Sequence, residues 1–249
     1  MQIVPPGHFD AAGYPGFAWD EHDLWPYFYF LPAELHDRLL EITPNACLAL
    51  AIGSAHWILA RMAPLDADRP ARDFVQAMWA DIAPSWRCQW YSPDEDDYCG
   101  PVRGPIYMAM TILYDVLETI GENPVIADRA TWMHNLAQHV LEGDAAYENW
   151  FQQALARLER WHAWQVEGGR SPDLFAPAFP RGGPVAFEVL VPGMPYDRQQ
   201  APKLLERLIQ WERRMGNPFI LGPWEFGSDD PDDDDDHDHD HAHGFPVPH

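Results

Sequence analysis

Residues 44–62 read PNACLALAIGSAHWILARM, and from Pro44 to Ala60 no side chain carries a charge. Thr43 offers an N-cap and Pro44 a first helical turn, so the stretch predicts one helix to about Met62. Positions 47, 50, 51, 54, 57 and 58 cover most of its circumference, the pattern of a helix buried on every side. Seventeen uncharged residues lie at the short limit for a membrane span. Asn45, Ser54 and His56 within them favour a central core helix over a span.

Reading outward, residues 105–120 are a second strongly apolar helix, with Ile106, Met110, Leu113, Leu117 and Ile120 on one stripe. Pro32 starts a helix to about Ile42, and Pro70 to Ala83 forms another around Phe74, Val75, Met78, Trp79 and Ile82. Asp128 caps a helix to Leu141, and Asp144 caps one to about Gln165 with Tyr147, Trp150, Phe151, Leu155, Leu158 and Trp161 on its apolar face. Pro202 to Met215 is amphipathic: Leu204, Leu205, Leu208, Ile209, Trp211 and Met215 face inward, and Gly216 stops it. Residues 84–104 read as a loop. The Pro-rich stretch from Gly168 to Tyr196 holds VAFEVLV (185–191), a short strand or an extended packing segment. The expected fold is therefore all-α, an irregular bundle of about seven helices with long Pro-rich connections, and 44–62 with 105–120 at its centre. Residues 1–31, dense in Pro, Gly and aromatics, read as an arm laid over the body at 32–227. Residues 228–249 read as a disordered Asp/His tail.

The formal net charge is −23. Nine Asp fall between Asp229 and Asp240, and setting them aside leaves 30 acids against 16 bases, so the body is itself acidic at −14. Such a field repels nucleic acid and anionic lipid and attracts basic proteins. Three cysteines at wide spacing (Cys47, Cys88, Cys99) form neither a disulfide framework nor a metal knuckle, and MQIVPPGHFD lacks the pattern of a secretory signal. Both suit a reducing cytoplasm.

No HExxH, GxSxG, P-loop or GxGxxG occurs, and no residue set is singled out as catalytic. His134 and His139 are five apart and do not share a helical face. His56 and His162 read as hydrogen-bonded core residues. Cys99 sits beside Asp94, Glu95, Asp96 and Asp97, the wrong electrostatics for a nucleophilic thiolate. Those four carboxylates fail the EF-hand pattern, since Ile106 holds the twelfth position counted from Glu95. They are the densest charge on the body and the expected contact for a basic partner. In the arm, Trp19, Trp25 and Tyr27 beside Asp20, Glu21 and Asp23 admit a sugar-stacking reading, with packing of the arm as the simpler one.

Three functional classes follow. The first is an acidic interaction protein docking a basic protein partner, such as an immunity or antitoxin-like protein or a subunit of a bacterial defence or secretion system. The second is a metal-binding accessory protein: His237, His239, His241 and His243 alternate with Asp238 and Asp240, donors suited to Zn, Ni, Cu or Co, although nothing in the fold requires a cofactor. The third is an enzyme whose site is assembled from dispersed residues. An open acidic surface with exposed tryptophans favours the first class, and a deep pocket lined by charged groups favours the third. Neither oligomeric state nor partner identity is written in the sequence.

The tail predicts that calorimetry with Ni or Zn detects binding to the full chain that weakens as pH falls through about 6, near the usual histidine pKa. Truncation after Gly227 abolishes that binding. Equal binding by both forms relocates the site to the body.

Overall fold

The computed structural model describes residues 3–9, 16–91, 93–120, 125–164 and 180–222. Among these the protein is mainly helical. The α-helices are α1 (Trp25–Phe28), α2 (Ala33–Leu40), α3 (Pro44–Met62), α4 (Arg69–Ala77), α5 (Gly100–Thr119), α6 (Val125–Val140), α7 (Ala145–His162) and α8 (Ala201–Arg214). Two two-residue strands, Arg87–Cys88 and Ile220–Leu221, pair antiparallel, with Cys88 opposite Ile220.

α3 is the predicted central helix. Of its 19 residues only His56, Ala60 and Arg61 are not buried, and it packs against α4, α5, α6 and α7. Thr43 is its N-cap in position only: the side chain makes no capping bond, and its Oγ1 is buried without a partner. The first turn is satisfied from elsewhere. Asn45 N–H donates to the Arg181 carbonyl at 2.9 Å, and its amide donates to Gly182 O at 3.1 Å. Gly182 has φ +81°, and a Cβ there would lie 2.5 Å from the Thr43 Cβ, so only glycine lets this segment approach the helix end.

α7 crosses α3 at Gly53, where an added Cβ would meet the Trp150 ring at 2.7 Å. Beside this crossing runs a buried polar chain. Tyr147 Oη donates to Ser54 Oγ at 3.2 Å and lies 2.9 Å from His134 Nδ1, tying α3, α7 and α6 together. His134 also stacks on Phe151 at 3.7 Å between centroids. His162 is buried and bonded to the Tyr196 hydroxyl at 2.7 Å, as a core histidine should be. Asp144 caps α7 as expected, accepting from Ala146 N–H and Tyr147 N–H.

Several boundaries differ from the sequence reading. The helix read as starting at Pro105 starts at Gly100, and Pro105 lies inside it. The Glu21 carboxylate accepts the Gly100 N–H at 2.9 Å, a cap supplied from 79 residues away that no local pattern announces. Asp128 does not cap α6. It lies inside the first turn and bonds His36 Nε2 at 2.7 Å. The helix read through Ala83 ends at Ala77 and tightens into a 3₁₀ turn at Met78–Ile82. The segment 185–191 is no strand: Phe187–Leu190 forms a 3₁₀ turn, with Arg157 donating to the Val189 and Glu188 carbonyls. α7 stops at His162, and residues 165–179 lie outside the described residues. On α8, Leu205, Leu208 and Ile209 are buried as read, but Trp211 and Met215 are 54% and 59% exposed: Trp211 falls to the side of the stripe those residues define, and Met215 is the C-cap, past the last helical residue.

Three enclosed imidazoles, His56, His134 and His162, are each pushed down to about 4 by burial. In the unfolded chain they titrate near their ordinary value of about 6.5. Between these values the unfolded chain binds more protons, so stability is full above about 6.5 and falls as pH drops toward 4. The buried Asp81 carboxyl is raised to about 6 by burial, with Cys88 N–H, Arg181 and Arg87 pulling the other way. It acts with the opposite sign, one group against three. The expected outcome is a melting temperature that declines steadily from pH 7 to pH 4.5, and a flat or rising profile contradicts the neutral, desolvated state of these histidines.

Candidate interaction surface

The 94–97 carboxylates occupy a 3₁₀ turn, Glu95–Tyr98, that leads into α5. Asp94 caps this turn by accepting the Asp96 N–H at 3.1 Å. Short polar side chains at a turn start do this by geometry. All four side chains point into solvent, and none joins an ion pair among the described residues. Glu21 completes the cluster from the arm through its bond to Gly100. Below the turn, Tyr98 is buried, with Arg103 over its ring at 5.6 Å, and Arg103 is itself tied to Asp66 at 2.6 Å. The turn is thus held from beneath while its charge faces out.

The arm is anchored along residues 16–30 by α5 and α6. Trp19 lies against Gly104 so closely that a Cβ there would collide with the indole. Trp19 stacks on Tyr27 at 5.3 Å, and Tyr27 on His139 at 4.3 Å, while His139 Nε2 donates to the Ala18 carbonyl. Asn135 donates to the Phe28 and Phe30 carbonyls. Packing consumes Trp19 and Tyr27, which leaves no stacked pair of faces for a sugar there. What remains outward is a shelf of Trp25, Tyr29, Phe30 and Leu31, each 43–60% exposed. Tyr29 leans on Trp132 at 4.6 Å, and the Arg129 guanidinium lies 4.1 Å over the Trp132 ring while pairing with Asp115. Asp20, Glu21 and Asp23 are exposed just before the shelf, and Glu34 and Asp37 just after it.

A second aromatic surface lies in the loop directly before the acidic turn. Trp90 is 58% exposed and stands edge-on to Tyr114 at 3.9 Å. Neither Trp90 nor Tyr114 was singled out by the sequence reading. The available signal was a tryptophan in a polar loop directly before a run of acids.

A cavity of about 350 Å³ lies between residues 3–9 and the second half of α3, lined by Val4, His8, Phe9, His56, Leu59 and Phe187 among others. It reaches the lower end of the small-molecule range. Its polar groups, however, are bound into the structure. His8 bonds Asp144 at 2.9 Å, Asp66 holds Arg103, and Asp68 caps α4 through Ala71 N–H. His56 is the exception: the sequence reading made it a hydrogen-bonded core residue, but its Nε2 is buried without a partner. Among the described residues the nucleophiles on α3 are otherwise engaged: the Cys47 thiol donates to Leu39 O, and Ser54 serves Tyr147. Among the described residues no three His, Cys, Asp or Glu side chains converge as a metal site. The proposed tail ligands, His237, Asp238, His239, Asp240, His241 and His243, lie outside the described residues. No helix among them is long and apolar enough to cross a membrane. Comparison with known protein families, with curated proteins and with solved structures finds no match.

Cys99 is exposed, and partial desolvation, then the carboxylates of Glu21, Asp96, Glu95 and Asp97, raise its thiol above the ordinary value. Cys47 and Cys88 are buried. A thiol probe at mildly alkaline pH should label Cys99 alone, more slowly than an unstructured cysteine peptide. Replacing Glu95→Gln, Asp96→Asn and Asp97→Asn should accelerate it several-fold. Unchanged labelling means the carboxylates do not set the thiol's state.

Proposed function

We propose that this protein is an acidic helical interaction protein that docks a basic protein partner, working in a reducing cytoplasm. The observation that carries the reading is the juxtaposition of unpaired, outward carboxylates at 94–97 and Glu21 with exposed tryptophans on the same arm and loop. Charge steers an encounter, and large aromatics supply affinity once desolvated, so the two together make a protein-docking surface rather than a solvated face. A negative body disfavours nucleic acid and anionic membranes for the same reason. An immunity or antitoxin-like role, or a place in a bacterial defence or secretion assembly, fits this chemistry and is the finer form of the proposal. Three free thiols, two of them buried, support the reducing compartment. A divalent-metal role for the tail is the second reading, carried by the alternating His and Asp at 237–243.

Net charge alone attracts any cation, so the test compares two variants that lose the same number of charges. One variant carries Asp94→Asn, Glu95→Gln, Asp96→Asn and Asp97→Asn. A control neutralises four carboxylates that lie on neither the arm nor the turn, Glu41, Glu142, Glu188 and Asp197. Association with a short arginine-rich peptide is followed by surface plasmon resonance at low and high salt. The first variant should lose several-fold in on-rate at low salt, with little change in off-rate or melting temperature, because exposed charges contribute little to stability. The control should lose much less. Equal losses in both reduce the effect to bulk charge and remove the docking surface.

A further inference from the structure

Trp90, Tyr91, Tyr107, Met110 and Tyr114, with Pro93 at the rim, line a surface groove of about 200 Å³. The groove is below the roughly 300–1,000 Å³ typical of small-molecule sites, which suits a single side chain rather than a whole metabolite. Its walls are rigid. Tyr91 packs on Phe219 at 4.8 Å and on Phe74 at 5.8 Å, and Tyr107 and Met110 ride on α5. Trp90 and Tyr114 meet at 75°, so they form a corner of two aromatic surfaces, both part-open to solvent.

The surroundings of this corner are negative. Asp94 to Asp97 begin directly after Pro93, and Glu118 accepts the Tyr114 phenol proton at 2.9 Å, one helical turn on. Desolvation and that bond hold the Tyr114 phenol up at about 12, so the ring stays neutral and keeps its electron-rich face. A ring face presents negative quadrupole, and adjacent carboxylates add to it, so the group that gains most here is a cation. A planar guanidinium stacks on one ring while its edge faces the carboxylates, which a compact ammonium does less well.

We infer that the groove formed by Trp90, Tyr91, Tyr107 and Tyr114 is a receptor for one arginine side chain of the basic partner, seated against the rings with the 94–97 carboxylates at its edge. This rests on the docking function proposed above and adds the chemistry of its anchor. Exposed aromatic surface of this kind is costly to leave uncovered, and a cationic, partly apolar side chain covers it without stripping the carboxylates of their charge.

The test uses the full chain and two peptides, a short alternating Arg–Gly peptide and the same peptide with citrulline for arginine. Citrulline keeps the shape and removes the charge. Affinities are measured by calorimetry for wild type, Trp90→Ala, Tyr114→Ala, Tyr114→Phe and the variant with 94–97 neutralised. Trp90 is exposed, so its removal should leave melting temperature unchanged. The expected result is binding of the arginine peptide only, a loss of roughly five- to thirtyfold in Trp90→Ala, a smaller loss in Tyr114→Ala, and retention in Tyr114→Phe, which keeps the ring. If Trp90→Ala binds as wild type while neutralisation of 94–97 still weakens binding, the groove is not the receptor and the docking surface stands without it. Should wild type bind both peptides equally, or neither, the docking function itself fails and the groove with it.

Discussion

The burial of α3 is the constraint from which the rest of the structure follows. A helix without charge from Pro44 to Ala60 has no face to give to water, so other helices must enclose it. α5 and α6 lie along it, and α7 crosses it so closely that Gly53 has no room for a methyl group. The few polar atoms on α3 then need partners in the dry interior, and Ser54 obtains one through Tyr147, which in turn meets His134. Its N-terminus, buried as well, borrows carbonyls from residues 181–183. One apolar segment thus dictates where three helices, a buried polar chain and a distant loop must sit.

That arrangement also accounts for the surface. With four helices and their aromatics already around α3, the arm at 16–31 finds only the flank of α5 and α6 left to cover. It buries Phe17 and Phe28, stacks Trp19 and Tyr27, and leaves Trp25, Tyr29, Phe30 and Leu31 outward. Its acidic bend supplies Glu21 to the start of α5, which places the arm beside the 94–97 turn. Glu21 and the acidic turn therefore meet at the N-terminus of α5, the groove at Trp90 lies farther along the same helix at Tyr107, Met110 and Tyr114, and the outward aromatics lean on α6.

Most of the helices were legible because periodicity and caps are local signals: α3, α7 with its Asp144 cap, and the buried face of α8 follow from spacing alone. What escaped was set by distant partners. Pro105 looks like a helix start, and only the Glu21 carboxylate, 79 residues before Gly100, explains why α5 begins there. Asp128 has the composition of a cap but serves His36 from another helix. VAFEVLV has β-branched and aromatic content, yet Arg157 claims its carbonyls and coils it. For the surface, the acidic turn could be read as a charge run, while the groove could not. Trp90 and Tyr114 are 24 positions apart, and nothing local tells an outward tryptophan from the inward ones that surround it.

The most direct measurement of the central claim is a map of amide chemical shifts on adding an arginine-rich peptide to the isotopically labelled chain. The account predicts that the largest changes fall on residues 19–31, 90–99 and 107–118, with α8 and the lining of the His56 cavity nearly silent. Changes concentrated on the cavity or on α8, or spread in proportion to surface carboxylates, would contradict it.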